Sequence, residues 1–345
     1  MKTHDYPGIK DIARLAGVSI GTVDRALHNR GRVACDTKRR VEEIARQIGY
    51  KPNLMARSLA RKSRTTVAIL VPDPVQDEYW QQVWSGFESL FSISEHQGIY
   101  VRKFFYSLDD QDLFSKFAEQ IINEKPDGLI MAPNYPDSGL KLFKECEKAS
   151  IPVIIFDTNL PEINPSCFIG TDLYQSGMLC AQLLEMITHR QGNFAIFHID
   201  APLSYSHDML EKGKGFNDYI KNNNSKRSCL SFMIDSQHNM EAQLDAAFKN
   251  NVAGCFVSTS KTWIIGEYLK KRKHADIKLV GFDLILKNIE LLKEGWIDFL
   301  INQNPQQQAR KSLNTFINHF AFHEEIKADE YFPIEIITKS NLMSV

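Results

Sequence analysis

The sequence has no apolar run approaching the ~18 residues that a membrane-crossing helix needs. No apolar segment follows the first lysine of MKTHDYPGIKD, so no secretory signal peptide is expected either. Cysteine is sparse. Cys35, Cys146, Cys167, Cys180, Cys229 and Cys255 are scattered through 345 residues, mostly in apolar surroundings. They read as reduced core residues, not as a disulfide frame or a metal site. A Walker A string, G-x-G-x-x-G and H-E-x-x-H are all absent, as are low-complexity tracts and any repeat of 20–50 residues. One enzyme-like string occurs, Gly17-Val18-Ser19-Ile20-Gly21, which matches G-x-S-x-G. The nucleophile elbow it suggests needs a preceding strand, and here a helical pattern precedes it. His198, His207 and Asp208 lie close together without a third ligand at evident spacing, so a cleft or surface role is expected for the two histidines, not metal binding. No catalytic residue, metal or cofactor is expected.

What is present is a charge asymmetry hidden under a net charge of −1. Residues 1–64 hold 15 Lys and Arg against 6 Asp and Glu, a net of +9, and the remainder holds 26 against 36, a net of −10. A basic head on an acidic body implies that only the head meets a polyanion.

Within that head, Ile9, Ile12, Ala13 and Ala16 recur at helical spacing. Gly17 stands where a left-handed C-terminal position favours glycine, and Ser19 has N-cap chemistry. A second helix over about 20–28 keeps Val23, Ala26 and Leu27 inward and leaves Thr22, Arg25 and Asn29 outward. Asp36 and Thr37 can start a third, with Val41, Ile44, Ala45 and Ile48 inward and Gly49 at its end. An ordinary helical hairpin shows the same spacing through the second helix. The third helix and the basic run NLMARSLARKSR tip the balance toward a helix-turn-helix, whose second helix enters a DNA major groove.

From Thr66 onward, short apolar runs alternate with amphipathic stretches. Strands are expected at 67–71, 100–106, 128–132, 152–156, 194–198, 229–234, 254–258, 278–282 and 298–301, with helical stretches between most of them. Near-continuous apolar strands alternating with helices imply parallel sheets covered on both faces, and this many strands fit two sheets better than one. Asp77, Tyr79 and Trp80 follow the first strand, at the carboxyl end where such sheets bind ligands.

The strings IKDIARLAGVS, TVDRAL, IGYKPN and ARSL, at their spacings, resemble the LacI–GalR family of bacterial repressors over about the first 64 residues and more loosely to about residue 320. The resemblance places Ile20, Gly21 and Arg25 at base-facing positions. The Arg25 fork can bridge O6 and N7 of guanine, and Ile20 can meet a thymine methyl. Ser19, Thr22 and Asn29 fall at phosphate-contact positions. Asp24 replaces the family's commoner serine and can either accept from cytosine N4 or salt-bridge within the head. Residues 53–60 correspond to the hinge helix, where Leu59 either wedges between base pairs of the minor groove or packs on the next domain. Arg32, Asn53 and Arg57 complete the expected DNA contacts.

IPVIIFDTN, FIGTDLYQSG, GKGF, LVGFDL and NQNP resemble the type I periplasmic sugar-binding body of the same family. That resemblance implies two lobes joined by three crossings, near residues 160–166, 285–295 and 322–330. By family position, Asp157, Asn159, Ser260, Lys261, Asp283 and Gln303 join Asp77, Tyr79 and Trp80 as effector-binding residues. Lys212 stands where relatives carry arginine and Ser260 where asparagine is usual, which weakens the expectation of a standard pentose or hexose.

The expected organisation is a small all-α helix-turn-helix domain (1–52), a hinge (53–65) and a two-lobed α/β body with parallel sheets (66–345). The N-lobe is expected over 66–162 and 295–322, and the C-lobe over 166–290 and 328–345. The expected function is that of a cytoplasmic bacterial transcription regulator, a repressor and not an enzyme. As a homodimer it would bind a pseudo-palindromic double-stranded operator under control of a small sugar or sugar derivative, with no membrane partner. The alternative, a solute-binding protein of a transport system, is opposed by the basic head and the absence of a leader.

Overall fold

The computed structural model describes residues 9–27, 33–48, 64–160, 162–200, 207–223, 225–327 and 329–342. The chain divides into two compact units at the Arg64–Thr65 junction, and each is described by itself.

The head holds α1 (Ile9–Ala16), α2 (Ile20–Leu27) and α3 (Cys35–Gln47). Gly17 sits at φ +65°, a conformation that costs glycine little, and the turn closes with the Val18 amide donating to the Ala13 carbonyl at 3.1 Å. The Ser19 hydroxyl accepts from the Thr22 amide at 3.1 Å and so starts α2. Ile12, Ala13, Ala16, Val23, Ala26, Val41 and Ala45 form one buried core, the face that the apolar spacing marks.

The body carries two six-stranded sheets. The first, in the N-lobe, is built from β1 (Thr65–Pro72), β2 (Ile99–Tyr106), β3 (Gly128–Met131), β4 (Val153–Asp157), β5 (Cys167–Thr171) and β11 (Glu330–Phe332). Its order is β11-β5-β4-β3-β1-β2, and every pairing is parallel. The second, in the C-lobe, uses β6 (Asn193–Ile199), β7 (Cys229–Ile234), β8 (Val252–Val257), β9 (Lys278–Phe282), β10 (Phe299–Asn302) and β12 (Glu335–Ile337). Its order is β12-β10-β9-β8-β6-β7, with only β12 antiparallel. Helices cover both faces of each. In the N-lobe these are α4 (Glu78–Glu88), α5 (Phe91–His96), α6 (Gln111–Glu124), α7 (Pro136–Lys148) and, near the end of the chain, α13 (Pro305–Ile317). In the C-lobe they are α8 (Leu173–Ile187), α9 (His207–Asn222), α10 (Met240–Phe248), α11 (Thr262–Arg272) and α12 (Leu286–Glu294). Each sheet therefore separates two apolar clusters, which is why inner strands such as β1, β3, β4 and β8 read as near-continuous apolar runs.

The crossings differ from the sequence expectation. They fall at 171–173, 302–305 and 332–335, each where a strand of one sheet hands over to an element of the other lobe. The expected lobe limits are corrected accordingly. β5 pairs with β4 (Ile154 opposite Cys167), so the N-lobe continues past residue 162. β10 pairs with β9 (Phe299 opposite Val280), so the C-lobe continues past 290, and β11 lies in the N-lobe sheet. β5 escapes notice because its apolar run is only Cys167–Ile169, followed at once by Gly170 and Thr171. α12 escapes because only Asn288, Leu291 and Leu292 of its nine residues are buried.

One close approach positions the site. A Cβ on Gly177 of α8 would lie 1.9 Å from the Lys212 carbonyl oxygen, and one on Gly215 of α9 would lie 2.0 Å from that of Tyr174. Only glycine lets these two helices pack so closely, and this packing sets Lys212 against the ends of the C-lobe strands.

Candidate effector cleft and DNA-facing helix

In α2, Ile20, Gly21 and Arg25 are exposed on the side away from buried Val23 and Ala26. Arg25 Nε donates to the Gly21 carbonyl at 3.1 Å, which holds the guanidinium along the helix. The Ser19 and Thr22 hydroxyls lie 2.9 Å apart at the same end. Five expected DNA contacts, Asn29, Arg32, Asn53, Arg57 and Leu59, lie outside the described residues, as does the Asp24 side chain.

The body has a cleft of about 170 Å³, some six times the share of liquid volume a water molecule takes and so on the scale of a small metabolite. Nine of the ten expected residues line it: Asp77, Tyr79, Trp80, Asp157, Lys212, Ser260, Lys261, Asp283 and Gln303. Asn159 does not. The Thr158 amide bonds the Phe156 carbonyl at 2.8 Å, a tight turn centred on Asp157 at φ +67°, and after this reversal Thr158, not Asn159, reaches across the cleft. A larger hollow of about 350 Å³ lies between α6 and α7, but Glu119 and Lys141 at its edge are exposed and no buried polar groups converge there.

From the N-lobe, Asp77 caps α4 by accepting from the Tyr79 amide at 2.8 Å. Tyr79 donates its hydroxyl proton to Asp157, and the rings of Tyr79 and Trp80 meet edge-on with centroids 5.3 Å apart. From the C-lobe, Lys212 is 5% exposed; its ammonium sits 3.9 Å from the centroid of the Phe282 ring and donates to the Ser258 carbonyl at 3.4 Å. Gln303, in the second crossing, donates to Asp283 at 2.9 Å and accepts from Thr171 at 3.3 Å. Asp157, Asp200 and Asp283 all leave their strands at positive φ, +67°, +49° and +69°. Aspartate tolerates this left-handed region better than most residues, and such conformations concentrate at functional sites.

Burial pushes the Asp157 carboxyl up to about 7; the neighbouring Asp208 charge adds to this, against the Tyr79 bond and Lys212. Burial likewise raises Asp283 to about 6, opposed by Lys212 and Gln303. The Tyr79 hydroxyl is raised well above its usual value by burial and then by Asp157. Asp200 goes the other way: burial would raise it, but Lys261 and two hydrogen bonds from Ser236 outweigh that.

Several further residues shape the site, and of these only His198 carries an expectation from the sequence, a cleft or surface role. Asp200 pairs with Lys261, and Asp208 accepts from Thr158 at 2.7 Å across the two lobes. His198 is buried between the Ser258 and Ser231 hydroxyls, at 2.8 and 3.0 Å, and burial lowers it to about 4. Asn288, fully buried, accepts from the Trp263 amide at 2.7 Å and reaches the carbonyls of Ser260, Phe282 and Asp283 at 2.8, 2.9 and 3.0 Å. One amide thus stitches together the loops that carry Ser260, Lys261 and Asp283. A polar residue spaced as a core position in 286–294 was the only available clue.

A helix-turn-helix head joined to a two-lobed α/β body with a polar cleft at its strand ends defines the class by its fold: a lacI-type head on a periplasmic-binding-protein-like body. The chain belongs to the periplasmic binding protein domain family, matched over residues 67–324, and residues 8–53 match the bacterial regulatory proteins of the lacI family. It is 29% identical over 151 residues to catabolite control protein A of Staphylococcus aureus, covering 44% of each chain. To the sucrose operon repressor of Pediococcus pentosaceus it is 30% identical over 193 residues, covering 55% of this chain and 54% of that one. The aligned stretches thus span about half the length of these curated relatives. A Bacteroides fragilis structure described as a LacI transcriptional regulator superimposes with a TM-score of 0.76 at 29% identity, covering 82% of this chain and 100% of that one. The lacI-type head and periplasmic-binding-protein body expected from the sequence both stand. Among the described residues no helix is long and apolar enough to cross a membrane.

Proposed function

We propose that this protein is a sequence-specific DNA-binding transcription regulator, a repressor, whose operator affinity is set by a small sugar-like molecule held between the two lobes of its body. The observation that carries the reading is the convergence in one cleft of strand-end carboxylates, a crossing amide and an aromatic pair, in a chain whose head exposes Ile20, Gly21 and Arg25 on a capped helix. Carboxylates and amides pair with hydroxyls while ring faces cover C–H surface, which is the chemistry of a polyol. The likeness to a sucrose operon repressor and to catabolite control protein A supports the same reading. Ser19, Thr22, Asn29, Arg32, Asn53 and Arg57 would hold phosphates and Leu59 would enter the minor groove. One recognition helix reads few base pairs, so a homodimer on a pseudo-palindromic site follows, acting in the bacterial cytoplasm without a catalytic step.

The test is selection of bound fragments from the source genome, followed by retention assays with and without a panel of sugars and polyols. A recovered half-site repeat whose retention changes with one compound supports the reading. Ligand binding without retention on any DNA would favour the transport-type solute binder instead.

A further inference from the structure

Asp77, Asp109, Asp157, Asp200, Asp208 and Asp283 line the cleft, against two lysines among the described residues. Three of these carboxylates are already accounted for. Asp77 caps α4, Asp109 is exposed to water, and Asp200 is matched by Lys261 and Ser236. Asp157, Asp208 and Asp283 remain, with Lys212 as their single cation among the described residues. Each already holds one donor, from Tyr79, Thr158 and Gln303 respectively. Asp208 Oδ1 is the exception: it is buried and has no hydrogen-bond partner among the described residues. A buried carboxylate without a compensating charge is costly, and a ligand that supplies only hydroxyl donors leaves that charge uncompensated. An ammonium brings three N–H donors together with the missing charge. An anionic ligand would face three carboxylates with one lysine to offset them.

Resting on the reading of the cleft as the effector site, we propose that the effector is an aminated sugar or polyol whose ammonium is held by Asp208 and Asp157 across the two lobes. Its hydroxyls then fall to Asp283, Gln303 and Ser260 on the far side, and Tyr79 and Trp80 cover its ring.

The experiment is calorimetric titration of the full-length protein at neutral pH with matched probes: glucosamine, galactosamine and mannosamine, each beside its parent hexose, its N-acetyl derivative and the corresponding uronic acid. The expected result is at least one amine binding ten-fold or more tightly than its parent, with the N-acetyl form, whose charge is gone, losing that advantage. In D208N, which keeps an acceptor for Thr158, the ratio of amine to parent affinity should shrink at least five-fold. If a parent hexose or a uronic acid binds as tightly as its amine, or N-acetylation costs nothing, the proposal is overturned while the sugar cleft survives. If no member of the panel binds, the cleft reading itself falls, and the proposal with it.

Discussion

The Glu78 carboxylate, on the first residue of α4 in the N-lobe, accepts a hydrogen bond of 2.7 Å from the backbone amide of Leu286, the first residue of α12 in the C-lobe. A helix N-terminus favours negative charge, so the bond combines a donor with a dipole. One turn along α4, Gln82 donates to the Leu284 carbonyl at 3.1 Å. The same helix presents Tyr79 and Trp80 to the cleft. The lining of the cleft and the bonds that join the lobes therefore come from neighbouring residues of one element.

The double substitution Glu78→Ala with Gln82→Ala should open the body. Each bond contributes about 0.5–1.5 kcal/mol, and exposure of Glu78 puts it at the lower end. Small-angle scattering of the unliganded protein should give a larger radius of gyration for the variant. Superimposable scattering curves would mean that the clasp does not hold the lobes.

Stability should carry a pH signature from the cleft. Asp157 is held up to about 7 and Asp283 to about 6, against ~3.9 in an unfolded chain. Between the unfolded and folded values the native state binds more protons, so stability falls as pH rises from about 4 to 7. His198, lowered to about 4 against ~6.5 unfolded, has the opposite sign: there the unfolded state binds more protons and stability rises with pH. Comparison with Asp157→Asn separates the contributions. Between pH 5 and 8 the melting temperature of the parent should fall relative to that of the variant. A difference that stays constant over that range would remove Asp157 as the source.

Asn288→Ala should strip the Trp263 amide and the strand-end carbonyls of their shared partner inside the C-lobe. Unsatisfied buried groups cost about 1–3 kcal/mol, which in a body of this size lowers the melting temperature by several degrees. Because the Ser260, Lys261 and Asp283 loops lose their common tie, ligand affinity should fall as well. A variant that melts with the parent and binds normally would show the stitch to be dispensable.

The alternation of apolar runs and amphipathic stretches made nine strands legible, because buried parallel strands and surface helices differ in period. β5, β11 and β12 were not; in β5 the apolar run is only Cys167–Ile169 before Gly170 and Thr171, and the first crossing was misplaced with it. Residues following recognisable strands, such as Asp77, Asp157 and Asp283, reached the cleft because strand ends converge there. Asn159 followed the same strand but lies beyond the Asp157 turn. Asp200 and Asp208 were not singled out as ligand residues, and His198 drew only a general cleft or surface role, for another reason. Their roles come from partners 61, 50 and 60 positions away, Lys261, Thr158 and Ser258, and no local pattern encodes such pairings.

The head offers the last test. Arg25 is exposed and held along α2 by its bond to Gly21, so its fork is presented at one fixed place on the helix. If it reads a guanine edge, Arg25→Ala should lose about 1–3 kcal/mol of discrimination at a single base pair of each half-site. Affinity for random DNA should change far less, since that binding rests on phosphates. Salt provides an independent check, because each phosphate contact contributes about 0.9 to the slope of log affinity against log salt concentration. A base-reading arginine leaves that slope nearly unchanged when it is removed, whereas a phosphate-binding one lowers it by about one. Fluorescence anisotropy with operator and scrambled duplexes at several salt concentrations measures both quantities together. Equal losses on the two duplexes, with a reduced slope, would assign Arg25 to the backbone and leave sequence reading to Ile20 and its neighbours.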